Sequence, residues 1–265
     1  MRKSVRWGGA ALLGLLTLGL TGFALVVRSK RSQADPVERV ENGVFRARNF
    51  LSDIYAARVG GHVLLFDAGL DPEGHAADAL LSTLHARRED VSHVFLTHGH
   101  ADHVAAAGLF PKAHIYVGAG DAAVLEHPEL AEPRTPRWFG ALMGRVSVHA
   151  DRPLSGPTTV EVGEGRVVRA IPFPGHTPGS FVYWFERVLF TGDSVGLDRR
   201  VPPDGVLTAA QPRHSVDVAG NHESIRALPK WLAKDEVEVL CTGHMGCTRA
   251  QATRPLLDRL LAETK

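Results

Sequence analysis

The chain has 265 residues, 44% of them hydrophobic, with 30 basic and 29 acidic side chains and a formal net charge of +1. This length suits one large domain or two small ones, and the apolar content is enough for a packed core, which excludes a disordered chain. The balanced charge excludes the basic footprint of a nucleic-acid binder, so a small-molecule substrate is the expected partner.

Residues 1–6 carry Arg2, Lys3 and Arg6, and residues 7–27 then run without a charge. As a helix those residues would span about 32 Å, close to the roughly 30 Å hydrocarbon thickness of a bilayer. The segment reads as a single transmembrane anchor or as a signal sequence. Signal cores are usually shorter, and Arg28, Lys30 and Arg31 border the run as they would a membrane. The basic residues on the two sides nearly balance. The amino terminus tips the orientation toward a domain outside the cytoplasm, either anchored or exported after cleavage. Residues 28–40 are polar and contain Pro36, and read as a linker to a domain over residues 41–265.

Within that domain, residues 44–50, 54–59 and 62–66 predict three short strands separated by Ser52-Asp53 and Gly60-Gly61. Residues 73–87 have helical spacing through Ala76, Leu80, Leu81 and Leu84. Residues 93–97 predict a buried strand, 104–110 a short helix, 115–117 a strand and 121–126 a helix. Residues 126–145 contain three prolines with Trp138, Phe139, Leu142 and Met143, and read either as an apolar lid or as a helix packed on the core. Strands follow at 158–162, 167–173, 181–185 and 188–191. Residues 197–221 form a Pro- and Gly-rich loop that includes His214, read as a surface histidine. A helix over 225–233, a strand over 237–241 and a helix over 254–262 complete an α/β pattern. Cys241 ends that last strand and Cys247 follows it. A bond between the only two cysteines is open to them but not required by the sequence, and they do not settle the redox compartment.

Four polar motifs follow strands: HGHADH at 98–103, PGHTPG at 174–179, GDS at 192–194 and GH at 243–244. Strand ends are where α/β proteins usually place chemistry. His98 and His100 are two apart, so in an extended segment they face the same way. Asp102 and His103 follow a turn and can face the same space from another side. Imidazoles and a carboxylate are ligands that zinc favours and that iron accepts. These four, with His176, Asp193 and His244 downstream, are enough for two cations.

Taken in order, these motifs resemble the metallo-β-lactamase-fold superfamily from about Val40 to the C-terminus. The resemblance implies a four-layer αβ/βα sandwich with metals at one edge of two sheets. It implies one metal on His98, His100 and His176, a second on Asp102, His103 and His244, and Asp193 between them. Asp67, in FDAG, matches a carboxylate that supports a ligand histidine from behind. Two zinc ions are the expected cofactors, with Fe(II) or Mn(II) as alternatives. A metal-activated hydroxide would be the nucleophile, with Asp102 orienting it or carrying its proton. Ser194, beside Asp193, reads as structural. Class B1 and B2 β-lactamases typically carry cysteine at the position of Asp193, and the third subgroup usually lacks the bridging aspartate. A bridging aspartate looks more like glyoxalase II and the lactonases, although the helical C-terminal region of glyoxalase II is missing or reduced in the 21 residues after His244. The expectation is a hydrolase of an ester, lactone or thioester. The alternatives are a mononuclear-iron oxidoreductase resembling persulfide dioxygenases, minor β-lactam hydrolysis, or a tethered metal-binding protein without turnover.

Overall fold

The computed structural model describes Ser29, residues 33–131 and residues 147–264. Among the described residues no helix is long and apolar enough to cross a membrane, and the run at 7–27 lies outside them. Most of the 126–145 segment, read as lid or helix, also lies outside them.

The first sheet has seven strands in chain order: β1 (Glu38–Arg39), β2 (Val44–Asn49), β3 (Ser52–Val59), β4 (His62–Phe66), β5 (Val91–Phe95), β6 (His114–Gly118) and β7 (Arg152–Leu154). Strands β1 to β4 meander antiparallel, and β4 to β7 pair in parallel. The second sheet begins with β8 (Thr158–Gly163), β9 (Arg166–Pro172), β10 (Phe181–Phe185) and β11 (Val188–Phe190). A separate hairpin, β12 (Val195–Asp198) and β13 (Val206–Ala209), precedes β14 (Val239–Cys241), which joins the second sheet beside β11. The helices are α1 (His75–Thr83), α2 (Ala101–Val104), α3 (Ala119–Glu126), α4 (Val218–Ala227) and α5 (Ala250–Glu263).

Strand alternation builds the layers. In β4, Val63 and Leu65 turn outward to Ala76, Ala77, Leu80 and Leu81 of α1. Leu64 and Phe66 turn inward, where Phe181, Tyr183 and Phe185 of β10 meet them. Phe66 stacks on Phe190 with ring centroids 3.8 Å apart, tying the two sheets together. Burying an aromatic side chain of this size contributes about 2–3 kcal/mol. On the far side, Val182, Leu189 and Leu240 pack against Ile225 of α4 and Leu257 and Leu260 of α5. Three apolar layers therefore separate helices, sheet, sheet and helices, which is the αβ/βα sandwich.

Several elements differ from the sequence expectation. Residues 34–40 are not a free linker: Asp35 N–H donates to Arg48 O at 2.7 Å and β1 pairs with β2, because Ala34 and Val37 have apolar surface to bury. The helix expected over 104–110 starts earlier and lasts one turn, since Ala105 and Ala106 donate to Gly69 and Ala68 instead of continuing it. The helix expected over 225–233 begins at Val218, capped by the Asp217 carboxylate accepting from Gly220 N–H, and it gives way to a 3₁₀ turn containing Pro229. The 197–221 loop contains most of the β12–β13 hairpin, whose Leu197 and Leu207 face the core.

The pairing directions place the chemistry. Strands β9 and β11 both run antiparallel to β10, and β14 runs parallel to β11, so all three end on one side. Parallel β4 and β5 end together as well. The five segments that follow these strands meet at a single edge.

Candidate metal centre

His98 and His100 leave β5 on an extended turn, and His176 leaves β9 on the Pro174–Gly179 turn. His98 Nε2 lies 3.0 Å from His100 Nδ1, and His176 Nε2 lies 3.2 Å and 3.1 Å from those two atoms. The surrounding bonds decide which nitrogens carry protons. Asp67 accepts from the Thr97 hydroxyl at 2.9 Å, so that hydroxyl accepts from His98 Nδ1–H at 3.0 Å. Ser215 Oγ donates to Gln211 O at 2.8 Å and so accepts from His176 Nδ1–H at 3.3 Å. His98 and His176 therefore turn unprotonated Nε2 atoms toward His100. A tetrahedral cation with bonds of about 2.0–2.1 Å spaces its nitrogens about 3.3 Å apart. The cluster fits one.

The second cluster is Asp102, His103 and His244. Asp67 Oδ2 accepts from His103 Nδ1–H at 2.8 Å, and Leu51 O accepts from His244 Nδ1–H at 2.8 Å. Both rings thus present Nε2 to the centre, 3.7 Å and 3.6 Å from Asp102 Oδ2. Asp193 lies between the clusters: Oδ2 is 3.0 Å from His244 Nε2 and 3.7 Å from His176 Nε2, and Oδ1 is 3.4 Å from His103 Nε2. His103 Nε2 and Asp193 Oδ1 are buried without a hydrogen-bond partner. Such orphaned atoms are costly unless something binds them. A cation between the clusters is what this donor set fits.

The structure thus brings all seven sequence-derived candidates together, with Asp67 directly behind His103. Asp67 achieves this from the left-handed region, at φ 59°, at the end of β4. His214 is exposed, and Ser194 contributes a backbone oxygen that Asn221 Nδ2 reaches at 3.0 Å. Sequence reasoning missed the residues that orient the ligands. Ser215 and the Leu51 carbonyl act through contacts distant in sequence, and Thr97, although next to His98, is oriented by Asp67 30 positions away, so none leaves a local signature. Asp53, read only as a turn residue, is buried: it accepts from Arg46 Nε at 2.9 Å and from Gly246 N–H at 2.7 Å, holding the loop that carries His244. Tyr55 OH donates to Thr242 O at 2.6 Å, and a Cys241–Cys247 disulfide closes the same loop. Gly243 is required there, because a Cβ would collide with Asp193 Oδ1 and His103 Cε1.

Proton affinities differ between the clusters. Burial holds His98 well below the ordinary histidine value and lowers His176 to about 3. Burial also opposes charge on His103 and His244, but Asp193 and its carboxylate neighbours outweigh it and raise them to about 9 and about 10. In the metal-free protein, the unfolded chain binds more protons than the folded one below pH 6.5, the ordinary histidine value, so stability falls as pH drops. Above it the folded chain binds more, on His103 and His244, so stability is lost as pH rises toward 9–10. The melting temperature of chelator-treated protein is expected to peak near the ordinary histidine pKa of about 6.5. Added metal, by displacing those two protons, should flatten the alkaline limb. A melting temperature that climbs steadily to pH 9 would contradict this assignment.

A family model described as the metallo-beta-lactamase superfamily matches residues 47–244. An atrochrysone carboxyl ACP thioesterase from Paecilomyces divaricatus is 32% identical over 148 residues, covering 54% of this chain and 39% of that protein. A hydroxyacylglutathione hydrolase from Anaeromyxobacter dehalogenans is 33% identical over 154 residues, covering 57% of this chain and 50% of that protein. The chain therefore spans half or less of these two relatives. A metallo-beta-lactamase family protein from Thermus thermophilus superposes with a TM-score of 0.59 at 23% identity, over 83% of this chain and 79% of that one. At that identity the likeness shows the fold.

Proposed function

The chain belongs to the metallo-β-lactamase superfamily, and from that premise we propose that it is a binuclear zinc hydrolase of thioesters or closely related esters and lactones. The observation that carries the reading is Asp193, whose two oxygens face His176 on one side and His103 and His244 on the other. When bound, the metals supply a Lewis acid and a water acidified to near neutrality.

The rest is the work of the chain. His98, His100 and His176 would hold one cation and Asp102, His103 and His244 the other, with the Asp193 carboxylate lying between the two clusters. Thr97, Ser215, Asp67 and the Leu51 carbonyl accept from Nδ1–H of His98, His176, His103 and His244, which aims each Nε2 at the centre. Asp102 is 22% exposed, so its carboxylate meets solvent as well as the centre. There it orients the attacking water and takes its proton. No serine or cysteine nucleophile is required, which agrees with Ser194 facing inward as a buried residue. Thioesters lead the substrate classes because one relative's name states thioesterase and the other's states hydrolysis of an acylated glutathione.

The test pairs metal content by mass spectrometry with a hydrolysis screen over thioesters, esters and lactones. Two zinc ions per chain are expected, with thioester cleavage lost to a chelator and restored by zinc. One iron per chain with oxygen uptake, or hydrolysis indifferent to the chelator, would overturn the reading.

A further inference from the structure

Asp121 takes no part in either cluster, yet it is buried on the first turn of α3, where an unpaired carboxylate would be costly. Its Oδ2 accepts from Gly99 N–H at 2.8 Å and from the Thr177 hydroxyl at 2.6 Å, and its Oδ1 accepts from Gly179 N–H at 2.9 Å. Gly99 is the residue between His98 and His100, and Thr177 follows His176. One carboxylate therefore ties the turn after β5 to the turn after β9, at the residues that adjoin the three ligands. The chain is shaped for this approach. A Cβ on Gly120 would lie 2.8 Å from Pro178 C, and one on Gly118 or Gly179 would collide with the opposing backbone. The loop Gly175–Gly179 thus lies backbone to backbone on the start of α3.

We propose that Asp121 is a positioning residue that sets the spacing of His98, His100 and His176 across the two halves of the fold, and does so for that cluster alone. None of its bonds reaches Asp102, His103 or His244. The inference rests on the metal reading above. Asp121→Asn preserves shape, but in either amide orientation its NH₂ faces one of the two backbone N–H groups, so one tether is lost.

The experiment uses the full chain and cobalt(II) as the probe, following its absorption spectrum and bound stoichiometry. In a His244→Ala background, which keeps the three-histidine cluster, Asp121→Asn should weaken cobalt binding about 10–100-fold and alter the spectrum, the range expected when a group supporting a ligand is lost. In a His100→Ala background the remaining site should bind cobalt as it does without the change. Equal weakening in both backgrounds, or no weakening in the first, would overturn the proposal. If the asparagine variant does not fold, Thr177→Val removes one of the three bonds and carries the same comparison, with a smaller but equally selective loss expected. A wild-type chain that binds no cobalt would instead sink the metal reading, so the two failures are distinguishable.

Discussion

His100→Ala is expected to lower kcat/KM for the best thioester on the order of 10³-fold, about 4 kcal/mol of barrier, while leaving the fold in place. His100 Nδ1 is the corner shared by the two shortest separations in the histidine cluster, 3.0 Å to His98 and 3.1 Å to His176. Without it, two nitrogens remain where a firmly held cation needs three or four protein ligands. The side chain is only half-buried and belongs to none of the apolar cores, so packing loses little. Kinetics on the purified variant, metal content per chain and circular dichroism together check this. Metal-dependent turnover at the wild-type rate would remove His100 from the ligand set.

Asp67→Ala should damage both stability and metal binding. The carboxylate is buried and accepts from Thr97 N–H at 2.7 Å, Thr97 Oγ1 at 2.9 Å and His103 Nδ1 at 2.8 Å. Deleting it strands three buried donors at about 1–3 kcal/mol each, so a loss on the order of 3–9 kcal/mol is expected. Typical domains have only about 5–15 kcal/mol in total. Asp67→Asn separates the two effects. Its oxygen can still serve Thr97 N–H, but its amide then meets His103 Nδ1 as a donor. The ring must shift its proton to Nε2, where a metal would bind. Urea denaturation should show a moderate loss for asparagine and a large one for alanine, with zinc affinity reduced 10-fold or more in both, roughly the cost of losing such a supporting group. Wild-type zinc binding by Asp67→Asn would show that this carboxylate does not set the histidine's proton.

What could be read in advance followed local rules. Short apolar runs at 62–66 and 181–185, bounded by turn or polar residues, marked buried strands, and the spacing of His98 and His100 marked a shared direction after a strand. The small β12–β13 sheet was hidden because Pro202, Pro203 and Gly205 dominate the segment, while the flanking Leu197 and Leu207 are too few to display a period. The start of α4 was hidden by a polar sequence, although Asp217 three residues before Gly220 is a capping signal that could have been used. Of the residues that orient the ligands, Asp67 was legible through its motif, but Ser215 and Leu51 were beyond any local rule. Ser215 meets His176 across 39 positions, and Leu51 meets His244 across 193. Such pairings exist only after the sheets have folded.

The centre is also lopsided in its exposure. His103 is fully enclosed, whereas its neighbours Asp102 and His244 are 22% and 35% exposed. A molecule reaching the centre meets Asp102, His244 and the half-buried His100 before it meets His103. Under the proposed hydrolysis, a carbonyl arriving from that side would present one of its two faces to the centre. Unequal rates on mirror-image substrates are therefore the expected consequence of this placement of the ligands.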